Sequence, residues 1–494
     1  MLKSIEIMFD ALDKEGIDYC HWKSNEHLEE ALNGETDLDI LFSSSSRSRL
    51  DKVLNQCNMK RFRAVPGMQY NAIEDYIGYD QETASIWHLH LHYKLTLGEK
   101  HLKGYVLPFT NKILNNRVID EQLGVYRSES SDELFLMLLR MALKLRWRDF
   151  GRKIGTDDIL ELNWLSERTN KDEVVEKACL YLDESCAKEY GRLLEKKLIY
   201  KKQLSGLQRR LRRTLKVYAS YSRPVSLIKR LQREAFWIIG GAGRRLGISL
   251  NRPYRRVSPS GGTAVAFLGC DGAGKSTTLS YVKKELKKKL DVQAVYLGSG
   301  DGSSSIFRYP MRLIARKVGG KGLGKEMSRS KEEQDRPGLK KRIKRQFYFL
   351  AKIIWAVTLA SEKKGKLKRI TRLRNRGIIV LLDRYPQTNI MGCSDGPLLD
   401  RYRTSKSFLL RKISNWEYKV YKLGALNPPD LIIKLVVKPE IAVSRKPEMT
   451  IEEIEKKIEA VQSIDFNTRI ETINTEGDFS ATASRVLSCI WDEL

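Results

Sequence analysis

Apolar and polar positions along the chain follow two different periods. Residues 4–16 place apolar side chains three and four apart, which predicts an amphipathic helix, and IDYCHW (17–22) is a short apolar run. A polar helical stretch follows, then TDLDILF (36–42), whose alternation predicts a strand. SSSSRSRLDKVL (43–54) supplies N-cap residues and a helix, and ASIWHLHLHYKL (84–95) reads as another strand. From SSDELFLMLLRMALKL (130–145) to about residue 200 the period is helical, with Ser131 as a candidate cap. Residues 201–250 alternate basic clusters with apolar pairs at helical spacing, and NRPYRRVSPSGG (251–262) has the composition of a linker. TAVAFLG (263–269), GIIVLLDRYP (377–386) and PDLIIKLVV (429–437) are strands buried on both faces, separated by helical stretches, which is the pattern of a parallel sheet. The expected organisation is an α+β domain over 1–125, a helical extension over 126–200, a basic helical segment and linker over 201–262, and an α/β domain over 263–494. No internal repeat is visible, and KEMSRSKEEQDRPG (325–338) reads as a loop.

Composition narrows the class. With 494 residues, 41% apolar and 30% charged, the chain can bury several cores without disulfides or metal staples. Its seven cysteines are odd in number and scattered, with no CxxC pair; this argues against a disulfide framework or a zinc knuckle and fits a reducing cytosol. The opening residues do not have the pattern of a signal peptide. The apolar run FYFLAKIIWAVTLA (347–360) is shorter than a membrane span and carries Lys352. A cytoplasmic location is expected, with a peripheral seat on the inner face of the membrane as the variant.

The net charge of +28 calls for an anionic partner, and its distribution is uneven. Residues 1–150 carry −4, 151–200 carry −2, 201–260 carry +15, and 261–494 carry +19, of which 307–376 supplies +18. In 201–250, LQRRLRRTLK and SLIKRLQREAFWIIGGAGRRLG interleave Arg and Lys with Leu, Ile, Phe and Trp. Such a segment can lie on an anionic bilayer with Trp237 at the interface, or pack its apolar side against the domains. Nucleic acid ranks below both, because no nucleic-acid-binding motif or aromatic platform is present. KKGKLKRITRLRNRG (363–377) reads as basic decoration of a helix.

Candidate chemistry begins at GCDGAGKS (269–276), which fits G-x-x-x-x-G-K-[ST] between a strand and a helix. There Gly269, Asp271, Gly272, Ala273, Gly274, Lys275, Ser276 and Thr277 would wrap phosphates with backbone N–H groups. Lys275 would reach the outer phosphates, and Ser276 would ligate Mg²⁺. Asp383 and Arg384 end the next buried strand, where a carboxylate can order the metal and a guanidinium can neutralise phosphate. Arg445 and Lys446 lie where a lid could close, or on a solvated helix end.

Through FLGCDGAGKST, LLDRYP and PDLIIKLVVKPEIAVSRK, residues 263–494 resemble the thymidylate kinase-like P-loop kinases. The resemblance implies ATP and Mg²⁺ as cofactors and a parallel sheet flanked by helices. It gives catalytic roles to Lys275, Asp383, Arg384 and Arg445, and turns Asp271 toward the acceptor. Two departures concern the acceptor. The family's Arg-Glu-Pro-Gly turn is replaced by YLGSGDGSSS (296–305), and its thymine-reading stretch by PQTNIMGCSDGP (386–397). A phosphate acceptor needs only cations, whereas an alcohol needs a base, for which Asp301 and Asp395 are candidates. The expectation is transfer of the γ-phosphate to a nucleoside monophosphate or a similar small phosphorylated or hydroxyl acceptor.

HWKSNEHLEEALNGETDLDILF (21–42) puts Asp37 and Asp39 on one strand face behind a Lys23-Ser24 turn, an arrangement that can hold a metal against phosphate. With Gly34 and Thr36 it resembles the minimal nucleotidyltransferases over about residues 1–125. That family adds a third carboxylate on a later strand; here His90 stands in its place, followed by Leu91 and His92. Three readings stay open: a packed histidine face; an inactive domain that binds a nucleotide or partner; or His88, His90 and His92 joining Asp37 and Asp39 around a different metal. Two functional alternatives also follow, a nucleotidyltransferase with an ATP-sensing kinase-like half and a nucleotide-switched protein held at a membrane.

Overall fold

The computed structural model describes residues 1–65, 68–70, 72–245, 252–298, 339–390 and 395–494. The chain divides into two units, Met1–Pro259 and Ser260–Leu494, each with its own sheet.

In the first unit the strands are β1 (Tyr19–His21), β2 (Asp37–Phe42), β3 (Lys60–Phe62), β4 (Ile73–Asp80), β5 (Ser85–His92), β6 (Thr96–Glu99), β7 (Leu102–Val106), β8 (Val118–Ile119) and β9 (Tyr126–Arg127). The helices are α1 (Lys3–Lys14), α2 (Leu28–Leu32), α3 (Arg47–Gln56), α4 (Thr110–Asn115), α5 (Ser130–Lys144), α6 (Thr156–Glu167), α7 (Lys171–Tyr181), α8 (Glu184–Glu195), α9 (Ser205–Thr214) and α10 (Arg223–Arg245). Seven strands form a mixed sheet in the order β3-β4-β5-β2-β1-β9-β8, with β2 and β5 parallel and β4 antiparallel to β5. The strong β4, IEDYIGYD, went unread in the sequence because its apolar and polar residues do not alternate cleanly.

One buried cluster joins Trp22, Leu95, Phe109 and Phe135 to Leu165, Tyr190, Leu207 and Leu215. Helices α5 to α9 thus share a core with the strands that precede them. Burial of such large side chains contributes roughly 1.5–3 kcal/mol each. Helix α5 begins one residue before Ser131, and Glu129 is its cap, accepting from the N–H groups of Ser131 and Asp132. A carboxylate suits the positive end of a helix, so the expected serine cap is displaced. The Pro- and Arg-rich stretch read as a linker is tethered before it ends: Arg63 and Val257 exchange backbone hydrogen bonds and Arg256 pairs with Asp75.

The second unit contains β10 (Ala264–Leu268), α11 (Lys275–Leu286), β11 (Val292–Tyr296), α12 (Leu339–Arg374), β12 (Ile379–Asp383), α13 (Phe408–Leu426), β13 (Leu431–Val436), α14 (Pro439–Arg445), α15 (Ile451–Gln462), β14 (Arg469–Asn474) and α16 (Phe479–Glu493). Its five strands are parallel in the order β11-β12-β10-β13-β14. β10 is buried at every position, as an inner strand covered on both faces requires. From β10 the chain crosses to one side of the sheet and from β12 to the other, so a switch point lies between their carboxyl ends. The apolar run 347–360 is part of the 36-residue α12. Among the described residues, no helix is long and apolar enough to cross a membrane.

Candidate active site

Backbone geometry builds the phosphate loop after β10. Gly272 and Gly274 hold φ of +88° and +82°, a left-handed conformation open to glycine at little cost. A Cβ on Gly272 would stand 2.6 Å from the carbonyl oxygen of Ala442 in α14, so the loop is also closely backed. Helix α11 starts at Lys275 and directs the free N–H groups of Lys275, Ser276 and Thr277 toward the loop. Ser276 and Thr277 are exposed, whereas Ala273 is fully buried and anchors the turn. The Lys275 ammonium donates to the carbonyls of Gly269 (2.9 Å) and Cys270 (2.6 Å). Burial and the nearby Arg384 lower its pKa.

The switch point brings Asp383 and Arg384 opposite this loop, with Asp383 in register with Phe267 of β10. The Asp383 carboxylate has no hydrogen-bond partner among the described residues, and burial raises its pKa. A half-buried carboxylate without a partner, at the end of the strand beside the loop, fits a hard divalent cation; Asp383, together with the exposed Ser276 hydroxyl of the loop, would be the residues to hold Mg²⁺.

Arg384 has a left-handed backbone (φ +68°), unusual for a residue with a Cβ. Its guanidinium donates to Asp271 (3.0 Å) and lies 3.6 Å from Asp395. Burial disfavours its charge, but Asp395 and Asp271 outweigh that and keep it firmly protonated. Asp271 also accepts from Lys457 of α15. Burial opposes its ionisation, yet the Lys457 bond and Arg384 bring its pKa down to about 2.

Two cations here escaped the sequence reading. Lys363, within the stretch taken for surface decoration, is 1% exposed; it bonds Asp395 at 3.3 Å and lies over the Tyr421 ring. Lys457 belongs to α15, whose sequence supplied no candidate site residue. Arg445 is drawn to the loop, donating to the carbonyls of Gly272 (3.2 Å) and Thr475 (2.9 Å). Lys446 is exposed, and its side chain has no hydrogen bond or ion pair among the described residues. Asp301 lies outside the described residues, as do Cys393 and the 325–338 stretch.

A second polar cluster lies on the mixed sheet of the first unit. Parallel pairing of β2 and β5 sets Asp37 beside His88 and Asp39 beside His90. Ser24 takes a left-handed turn, and Lys23 pairs with Asp39 Oδ2 at 2.8 Å. His90 Nδ1 stands 2.7 Å and His92 Nε2 3.4 Å from Asp39 Oδ1. Burial opposes the charge on Asp39, but Lys23 and His90 hold it well below the usual carboxylate range. His88 is elsewhere engaged, between Asp37 (2.9 Å) and Asp75 (2.8 Å). The three histidines therefore form two groups, which corrects the reading of one shared histidine set. Asp75, on the unread β4, lies in register with His90 and pairs with His88 and Arg256.

No protein-family model matches the chain. It is 29% identical over 222 residues to the uncharacterized ATP-binding protein YghR of Escherichia coli strain K12, a match covering 44% of this chain and 82% of that protein. It is 26% identical over 204 residues to the uncharacterized ATP-binding protein YghS of the same strain, covering 41% and 81%. Among solved structures, thymidylate kinase from Candida albicans aligns with 18% identity and a TM-score of 0.27, over 47% of this chain and 92% of that one.

Proposed function

We propose that the Ser260–Leu494 unit binds ATP with Mg²⁺ and transfers the γ-phosphoryl group to a small acceptor that already carries a phosphate. The observation that carries this reading is the phosphate loop set across the β10–β12 switch point from Asp383 and Arg384. The ATP-binding names of the two Escherichia coli relatives support the nucleotide.

The N–H groups at the start of α11 and the Lys275 ammonium would hold the β- and γ-phosphates, with Lys275 leaving the loop carbonyls it now bonds. Bound Mg²⁺ supplies charge neutralisation on the phosphate oxygens. Arg384, fixed by Asp271 and Asp395, would face the transferred group with a permanent positive charge. An acceptor oxygen attacks the γ-phosphorus as the bond to the β-phosphate bridging oxygen breaks, releasing ADP.

Among the described candidate bases, the carboxylates favour a phosphate acceptor over an alcohol. Asp271 and Asp395 are both committed to cations, and Asp395 is buried, so neither is free to take a proton from an alcohol. An ionised phosphate oxygen needs no base.

The test is a ³²P-transfer screen from γ-labelled ATP over nucleoside monophosphates, other phosphomonoesters, nucleosides and sugars. Label is expected in phosphomonoesters and should vanish in Lys275→Ala. Label in unphosphorylated alcohols alone would overturn the acceptor class, and turnover persisting in Lys275→Ala would overturn the role of the loop.

A second reading concerns α10 and gives the chain an anionic membrane surface as partner. Ile228, Leu231, Trp237, Ile238 and Ile239 are 52–66% exposed, in a segment rich in Arg and Lys. An amphipathic basic helix of this kind suits the headgroup layer of anionic lipid.

A further inference from the structure

Three donor atoms on the mixed sheet of the first unit converge on one point. Asp39 Oδ1, His90 Nδ1 and His92 Nε2 are separated by 2.7, 3.3 and 3.4 Å. We propose that Asp39, His90 and His92 bind a divalent transition-metal ion of the zinc class, leaving a fourth position open to water or an anionic oxygen.

Geometry is the first argument. Zinc lies roughly 2.0–2.1 Å from nitrogen or oxygen donors, so the donors of a tetrahedral site stand about 3.3 Å apart. Two of the three separations already match. The third is a hydrogen bond that opens with a small rotation of the Asp39 carboxylate.

Preorganisation is the second. Asp39 and His90 are paired residues on adjacent parallel strands, and His92 follows His90 on the same face. The His92 ring is fully buried and packs edge-on against Trp22, with centroids 5.1 Å apart. Donors held by strands and packing keep their positions better than donors on loops.

Donor chemistry is the third. Mg²⁺ prefers six hard oxygens, whereas two imidazoles and one carboxylate suit zinc and its neighbours. Lys23 does not compete for the site, because its ammonium bonds the other carboxylate oxygen, Oδ2. That ammonium also favours an anion at the open position. His88 lies outside this donor set: its Nε2 bonds Asp75, and its Nδ1 stands 2.9 Å from Asp37 rather than facing Asp39. His90, whose side chain is 20% exposed, is the side from which an ion can enter.

The inference is independent of the kinase reading. The full chain is stripped with chelator, loaded with Zn²⁺, dialysed and analysed for metal, and cobalt loading gives a visible spectrum diagnostic of four-coordination. Wild type is expected to retain one equivalent of zinc in the presence of excess Mg²⁺, and to melt at a higher temperature with zinc than without. His90→Gln and His92→Gln should each lose the retained zinc and the thermal shift. His92 is fully buried, so if its variant does not fold, the partly exposed His90→Gln carries the test alone. No retained zinc in wild type, or an undiminished equivalent in folded His90→Gln, would falsify the site. Zinc lost from a folded His88→Gln would overturn the three-residue assignment.

Discussion

Lys275 and Asp271 stand four residues apart and are held in opposite ways. The lysine is buried against loop carbonyls, while the aspartate is braced by Arg384 and Lys457. Removing the Lys457 ammonium frees one side of Asp271 and loosens the hold on Arg384. Lys457→Met is expected to lower kcat for phosphoryl transfer by about tenfold or more while leaving the melting temperature within a few degrees, in keeping with loss of one partly buried charge contact. Gly272 fails differently. A Cβ there meets backbone, and the left-handed φ adds strain, so Gly272→Ala should destabilise the second unit by about 1–3 kcal/mol and abolish nucleotide binding. Urea unfolding and nucleotide titration measure both effects.

Glu133 provides a pH prediction at the same scale. It is 1% exposed, and accepts from the backbone N–H of Asn25 at 2.9 Å and from its side-chain amide at 2.6 Å. Burial pushes its pKa up to about 7, against the opposing pull of the Asn25 bonds. A folded value above the unfolded one, roughly 4.3, means that the folded state binds this proton more tightly. The associated stability is present below the unfolded value and is lost as pH rises through about 7. Wild-type melting temperature should therefore fall between roughly pH 4.5 and 7 from this group. Glu133→Gln should flatten that part of the profile; an unchanged slope would assign it to other groups.

At the scale of elements, strands buried on both faces were legible because their apolar runs are continuous: β10, β12 and β13 all lie within stretches read as strands. β14 was missed. β14 is RIETIN, partly exposed and charged as suits an edge strand, and it resembles the loops around it. Helix α10 was readable as basic and amphipathic, but its sequence left open which side faces solvent. Its bare Ile238 and Ile239 now set an expectation at the level of the element: co-sedimentation with phosphatidylserine vesicles, with a blue shift of Trp237 fluorescence, both weakened in Ile238→Asp. Absence of binding at low salt would remove the membrane reading.

At the scale of the molecule, two units with separate sheets predict separable stability. A fragment spanning 260–494 is expected to melt cooperatively on its own and to retain ATP turnover, as calorimetry and a phosphate-release assay can check. The excess of +28 becomes a set of local arrangements. Lys363, Arg384, Arg445 and Lys457 are spent on carboxylates and carbonyls within the second unit, and α10 carries Arg and Lys beside its bare apolar residues.

By itself the sequence determined the phosphate loop, the strand that ends in Asp383-Arg384, and the Asp37/Asp39 pair. Each is encoded by neighbouring residues whose spacing fixes their geometry: glycines for a left-handed turn, apolar runs for buried strands, alternation for one strand face. Only the tertiary structure decided the partners. Lys457 and Arg445 reach the loop from 186 and 173 residues away in the chain, Lys363 meets Asp395 from within a long helix, and Asp75 meets His88 through a strand the pattern did not reveal. Long-range pairing depends on how helices and strands pack, and no local spacing records it. The same reason divides the three histidines: alternation put them on one face, while the register of β2, β4 and β5 gave His88 to Asp37 and Asp75 and left His90 and His92 to Asp39.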